Sequence, residues 1–196
     1  MNQNSKKSIS TRQLTGLALF TAIVVVLQLL GSFLRFGMVS VSLVLVPIVI
    51  GAALYGVWAG AWLGFVFSVV VVLTGDCAAF YPVSVPAAIG VCLAKGTLAG
   101  TCAGAVYALL RSKNDIAATV AAAFVCPVVN TGIFFLGCWL FFIDTINGWA
   151  AAAGFENAGL FMIIGLAGLN FVFELIVNMV LSPTIVRLVH IAGRTE

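Results

Sequence analysis

The sequence predicts an all-α integral membrane protein, a six-transmembrane-helix bundle with both termini in the cytoplasm. The first observation is composition: 63% of the 196 residues are hydrophobic and 8% are charged, whereas a soluble domain carries about a quarter charged residues. The second is that the apolar residues form continuous runs, unlike the alternating strands of a membrane barrel. The third is that basic residues gather between the runs. A bilayer is the solvent that suits such a chain.

Six apolar runs approach the ~20 residues that a helix needs to cross the hydrocarbon core. The expected spans are 14–30, 41–55, 59–73, 83–110, 116–142 and 158–188. The first run has no small-residue cleavage site, so it predicts a span and not a signal peptide. Residues 144–157 are expected to form a glycine-containing loop. The chain is expected to be one membrane domain, with residues 1–13 and 189–196 as cytoplasmic segments and 14–188 as the helices.

Basic residues outside the spans set the orientation. They form three clusters, which are Lys6, Lys7 and Arg12, then Arg111 and Lys113, then Arg187 and Arg194. With six spans, all three clusters lie on one side, and the opposite connections hold Arg35 against three acidic residues. Cytoplasmic connections carry the excess of lysine and arginine, so both termini are predicted to be cytoplasmic.

Polar side chains inside the spans mark a candidate binding site. Lys95, Asn130 and Asn170 each lie about 12 residues inside a span, roughly 18 Å deep at the helical rise. Glu174 and Asn178 follow Asn170 at intervals of four and share its face. Such residues are costly in a membrane and usually functional. They predict a polar cavity for a hydrophilic small molecule. A Lys95–Glu174 ion pair with asparagines as interhelical hydrogen bonds is the structural alternative.

The connections on the outer side are expected to close this cavity. Asp76 and Tyr81 follow the third span, just before two prolines that stiffen the entry to the fourth. Arg35 lies in the connection after the first span. Aromatic residues in these connections serve equally well as interfacial belt residues, so both interpretations stay open.

Small residues indicate where helices approach closely. Gly96, Gly100 and Gly104 repeat at helical spacing on the fourth span, where internal packing is the default interpretation. Ala18 and Ala22 form a similar pair on the first span, which suits docking to another membrane protein. The five cysteines are scattered without a CxxC pair or a Cys/His cluster, so neither a metal site nor a disulfide framework is predicted.

Four stretches resemble a known family. They are ALFTA in span one, LVPIVIGAALYGVWAGAWLGFVFSVV in spans two and three, CLAKGTLAGTCAGAVYALL in span four, and CPVVNTGIF in span five. With these, the chain resembles the S components (substrate-binding subunits) of energy-coupling factor (ECF) vitamin transporters over nearly its whole length. The resemblance implies a prokaryotic plasma membrane protein that binds a vitamin with high affinity from the outer side. It also implies partners, a membrane coupling subunit and two ATPases.

The resemblance further implies roles for residues. Ala18 and Ala22 match the positions that dock the coupling subunit, and S components are thought to topple in the membrane to release substrate. Lys95, Asn130, Asn170 and Glu174 lie where the family places ligand contacts. No Walker-type GxxxxGK[ST] loop occurs in the sequence, so ATP hydrolysis is assigned to the partners.

Lysine at mid-depth suits a carboxylate-bearing vitamin, which makes pantothenate the leading substrate. Folate, biotin, riboflavin and queuosine precursors stay open. The tryptophan- and histidine-rich thiamine site of the family has no obvious counterpart, because the single histidine, His190, lies near the cytoplasmic end. No cofactor, metal or nucleic acid partner is expected.

Three other functions are considered. An integral-membrane enzyme needs a nucleophile and a base within hydrogen-bond reach, and Ser68 has no histidine at its depth. A stand-alone transporter often shows inverted repeats and broken helices, and no convincing repeat is visible. A structural assembly factor would bind no ligand.

Overall fold

The computed structural model describes residues 11–32, 35–36, 39–40, 43–166 and 168–193. In chain order the helices are α1 (Thr11–Gly31), α2 (Leu45–Tyr55), α3 (Val57–Leu73), α4 (Val85–Leu110), α5 (Asp115–Phe141), α6 (Ile143–Ala152), α7 (Ala158–Leu160) and α8 (Gly168–Gly193). Between α1 and α2, strands β1 (Arg35–Phe36) and β2 (Val39–Ser40) pair antiparallel, with Arg35 opposite Ser40. Lys6, Lys7 and Arg194 lie outside the described residues.

Within the described residues, the apolar runs are mostly helical, as predicted. Within the described ranges, three helices are long and apolar enough to cross a bilayer, namely α1, α4 and α5. Helices α2 and α3, with 11 and 17 residues, are shorter, and Gly56 joins them at a positive φ of 91°. The count of six spans therefore stays a prediction.

The segment expected to form the last span is bent, which corrects the expectation of one continuous helix over 158–188. Helix α7 runs into a π-helical stretch, Phe161–Leu166, and the segments on either side of the break are bent by 50°. At Gly168 a Cβ would collide with the carbonyl oxygen of Ile163. Glycine at 168 therefore permits the backbone to turn there. The hydropathy of the sequence does not reveal such a bend.

Residues 144–157 are not simply a loop, because α6 occupies most of this segment. Ile146 and Ala150 lie four residues apart, so they share one helix face, and both are buried. They pack in a cluster with Phe80 and Phe142. Gly154 then ends the helical region at a positive φ of 77°. This packing against other segments stabilises a short helix that glycine and polar residues disfavour locally.

Helices α3 and α4 touch backbone to backbone. A Cβ on Gly64 would collide with the Gly96 carbonyl oxygen, and a Cβ on Gly100 would collide with that of Gly60. Small residues at helical spacing permit this approach. The predicted internal packing of the α4 glycines is confirmed.

Helix α1 lies at the edge of the bundle with one face exposed. Ala18 and Ala22 are on the exposed face, whereas Val24 and Gln28 are buried. Trp62 Nε1 on α3 donates a hydrogen bond of 3.1 Å to Thr21 Oγ1 and ties α1 to the bundle. The small pair of α1 is therefore available to another molecule.

Candidate functional site

One face of α5 carries the centre of the candidate site. Cys126, Asn130 and Phe134 recur at intervals of four residues and so line the same face. Cys126 and Asn130 are buried. In the described part of the chain, Asn130 Oδ1 accepts no hydrogen bond. A buried acceptor without a donor is costly, and its usual explanation is a ligand or an ordered water.

Lys95 reaches this face from α4. Its Nζ lies 5.3 Å from the centroid of the Phe134 ring, a cation–π contact.

An aromatic cluster covers the Lys95 end of this face. The Phe80 ring lies 6.0 Å from Phe134, 4.8 Å from Phe142 and 5.4 Å from Trp149, measured between ring centroids. The connection before α4, the end of α5 and helix α6 thus meet above Lys95. Trp149 was missed by sequence reasoning because its segment was expected to be a loop. Trp149 lies three residues after Ile146 and one residue before Ala150, and this spacing is only a weak signal for a helix.

The polar stripe of α8 is buried as a unit. Asn170, Glu174 and Asn178 are 4%, 5% and 1% exposed, and Ser182 extends the stripe by one turn. Asn178 Nδ2 donates a hydrogen bond of 2.8 Å to the Glu174 backbone carbonyl, which fixes the orientation of the amide. Among described atoms, Asn178 Oδ1 accepts no hydrogen bond. Helix α8 packs against α5 and α2, so the buried stripe faces the interior of the bundle.

Asp76 is held by α1 through a residue that sequence reasoning missed. Gln28 Nε2 donates a hydrogen bond of 3.1 Å to Asp76 Oδ2, and Thr74 Oγ1 donates one of 3.2 Å to the same oxygen. Gln28 is fully buried. Its position as an amide inside an apolar run was the available signal. Asp76 therefore fixes the connection between α3 and α4.

Tyr81 lies in the same connection as Asp76. Its hydroxyl is 3.2 Å from Cys77 Sγ. This hydrogen bond, with partial burial, raises the pKa of Tyr81 to about 12, so the phenol is neutral at physiological pH. Of the other predicted residues, Arg35 is described only in its backbone within β1, and the side chains of Arg35 and His190 lie outside the described residues. Groups of three or more His, Cys, Asp or Glu side chains able to hold a metal are absent from the described ranges.

The sequence profile of one family, described as "ECF transporter, substrate-specific component", matches residues 12–186. This chain belongs to that family. Such components bind a transported substrate and are not enzymes, so the membrane-enzyme alternative is set aside, as predicted. Comparison with curated proteins gave no match.

The fold also resembles that of a solved structure. The structure of ThiT from Listeria monocytogenes aligns with a TM-score of 0.56 at 22% sequence identity, over 89% of this chain and 97% of that one. At this identity the likeness shows the fold alone. The membrane character predicted from composition is confirmed by the family and by the apolar helices.

Proposed function

We propose that this ECF component binds a vitamin with high affinity from the outer side of a prokaryotic plasma membrane, with pantothenate as the first candidate. The observation that carries the proposal is that α5 packs against both α4 and α8, and that the polar side chains Asn130, Asn170 and Glu174 are buried there. Lys95 lies over the Phe134 ring, and Asn130 lies one turn from Phe134 on the same face of α5. Polar groups at such depth are expensive unless they serve a ligand or each other. The carboxylate of pantothenate would pair with Lys95.

The proposed topology has six spans with both termini in the cytoplasm. Helices α2 and α3 are the short second and third spans, and α7, the π-helical stretch and α8 together form a broken sixth. Residues 1–13 and 189–196 flank a single membrane domain, 14–188. The positive-inside distribution of Arg111, Lys113 and Arg187 supports this orientation.

The proposed partners are a membrane coupling subunit and two ATPases. Ala18 and Ala22 support this assignment because both are exposed on α1, and small residues allow a second helix to approach closely. The candidate binding residues lie on α4, α5 and α8, away from the exposed face of α1. Binding and docking therefore use separate surfaces.

A thermal-shift panel on the detergent-purified protein tests the function. Pantothenate, folate, biotin, riboflavin, thiamine and queuosine precursors are added one at a time. One compound should raise the melting temperature strongly, because ligand binding to the native state stabilises it by mass action. The shift should be lost in Lys95→Ala and Asn170→Ala and kept in Leu109→Ala, an exposed position of α4. A flat panel contradicts the proposal.

A stand-alone transporter is the second candidate, since the broken last span is typical of secondary transporters. Reconstitution into liposomes separates the two functions. The proposed S component should accumulate substrate only with the coupling subunit, the ATPases and ATP. Uptake by the chain alone would favour the second candidate.

A further inference from the structure

The apolar surface of α1 does not by itself select the face that this helix turns to the bundle. Residues 22–27 (AIVVVL) are all apolar and extend over more than one full turn. In a bilayer, no hydrophobic driving force distinguishes a contact with protein from a contact with lipid. The rotation of α1 about its axis therefore depends on directional contacts, and these contacts also decide which residues face a partner.

A hydrogen bond from α3 holds one flank of α1. Trp62 Nε1 donates to Thr21 Oγ1 at 3.1 Å, and Thr21 Oγ1 donates in turn to the Leu17 backbone carbonyl at 2.8 Å. Lipid offers no acceptor to an indole N–H. Turning α1 away from Trp62 would therefore leave a donor without an acceptor in the hydrocarbon, which is costly.

Tyr55 of α2 contacts the other flank of α1. Its ring packs edge-on against Phe20, with 6.1 Å between the ring centroids, and a Cβ on Gly16 would collide with its hydroxyl. Gly16 and Phe20 lie four residues apart and so share one face of the helix. Tyr55 limits how closely α1 approaches the bundle, whereas the Trp62 hydrogen bond supplies direction.

The hydrogen-bonded flank borders the exposed alanines. Thr21 immediately precedes Ala22 and lies three residues after Ala18, and residues three apart are neighbours on a helix surface. Trp62 is 48% exposed, so its ring lies at the edge of the face that carries both alanines. The Gln28 hydrogen bond to the α3–α4 connection lies about 9 Å further along α1.

Resting on the proposed docking role of Ala18 and Ala22, we propose that Trp62 is a positioning residue for assembly with the coupling subunit. Its N–H, through Thr21, sets the rotation of α1 at which both alanines face a transmembrane helix of that partner. Loss of the bond lets α1 turn and lowers the fraction of molecules that present the small pair. The apparent affinity for the partner falls in proportion to that fraction.

Conservative variants of the two bonded residues test the proposal. Affinities of the detergent-purified full chain for the purified complex of coupling subunit and ATPases are measured by bio-layer interferometry. Thr21→Val and Trp62→Phe should each weaken assembly by about three- to tenfold, the effect of one hydrogen bond in a membrane protein. The double variant should be no weaker than the weaker single variant. Thr21→Ser keeps the hydroxyl and should assemble as the wild type does.

Thr101→Val is the matched control, because the Thr101 hydroxyl on α4 donates to the Thr97 carbonyl of its own helix. This variant should leave assembly unchanged. Melting curves of the free chain confirm that each variant is folded before affinities are compared. They also identify a purely stabilising contact, whose loss would lower the melting temperature without weakening assembly of the folded chain.

The contrary outcomes separate this proposal from the proposed function. Wild-type assembly of Thr21→Val and Trp62→Phe, with or without a lower melting temperature, would overturn the positioning role alone. Weak assembly of Trp62→Phe beside normal assembly of Thr21→Val would contradict it too, because Trp62 would then contact the partner directly. Normal assembly of the variant that carries both Ala18→Leu and Ala22→Leu would remove the docking surface itself, and the positioning role with it.

Discussion

Two kinds of single-residue effect occur in this protein. One is the close packing of helices at glycine, and the other is the burial of a polar side chain. Gly100 represents the first, because its α carbon lies against the Gly60 carbonyl of α3. Gln28 represents the second, because a fully buried amide holds Asp76. Both effects are sensitive to small changes in a single side chain. Each therefore gives a prediction at the scale of one side chain.

Gly100→Ala should destabilise the protein, whereas Gly90→Ala should not. The new Cβ at 100 would collide with backbone, but nothing lies within 4 Å of a Cβ at 90 on the same helix. Overpacking costs about 1–3 kcal/mol, while Gly→Ala in an open helical position gains about 0.5–1 kcal/mol. Melting temperatures in detergent compare the two. Equal shifts would show that the α3–α4 contact is not close.

Gln28→Leu should destabilise the connection between α3 and α4. The change removes the hydrogen bond that Gln28 Nε2 donates to Asp76 Oδ2, and a lost hydrogen bond to a charged group costs about 1.5–3 kcal/mol. A double-mutant cycle with Asp76→Ala, read from melting curves, isolates the pair. A coupling energy near zero would mean that the bond contributes nothing to stability.

Helix α1 carries the proposed docking surface, whereas α4, α5 and α8 carry the proposed binding residues. Helix α1 exposes Ala18 and Ala22, while the polar side chains of α5 and α8 are buried. A bend of 50° separates Ala158–Leu166 from α8, which packs against α5. The local sequence determines each helix. The packing of the helices against one another determines which helix faces remain exposed.

Ala18→Leu with Ala22→Leu should abolish assembly with the coupling subunit and leave vitamin affinity unchanged. Larger side chains on this exposed face hold a partner helix away, while the binding residues lie on other helices. Ala108→Leu, also exposed but on α4, is the matched control and should assemble normally. Co-purification with the ECF module and titration of ligand are the two readouts. Normal assembly of the double variant would remove α1 from the interface.

The whole molecule has an orientation that reporter fusions can test. A green fluorescent protein fused after Lys113 or at the C-terminus should fluoresce, because both points are proposed to be cytoplasmic. Alkaline phosphatase fused after Gly154 should be active, because that connection is proposed to be outside. An active phosphatase after Lys113 would contradict six spans in the proposed order.

Sequence reasoning located most helices to within a few residues. The expected fourth and fifth spans, 83–110 and 116–142, correspond to α4 and α5, and the predicted family is confirmed. It failed at residues 144–157 and at the sixth span. Helix α6 forms because Ile146 and Ala150 meet aromatic residues from distant segments, and the break before α8 depends on a backbone contact between Ile163 and Gly168.

By itself the sequence determined that the chain is helical, belongs in a membrane and is a member of the ECF substrate-specific family, because hydropathy, charge placement and motifs are local properties. Only the tertiary structure decided that Lys95 meets Phe134, that Gln28 holds Asp76 and that, among the described residues, Asn130 Oδ1 accepts no hydrogen bond. These are relations between helices. Their distances follow from how side chains pack across interfaces, which no single segment encodes.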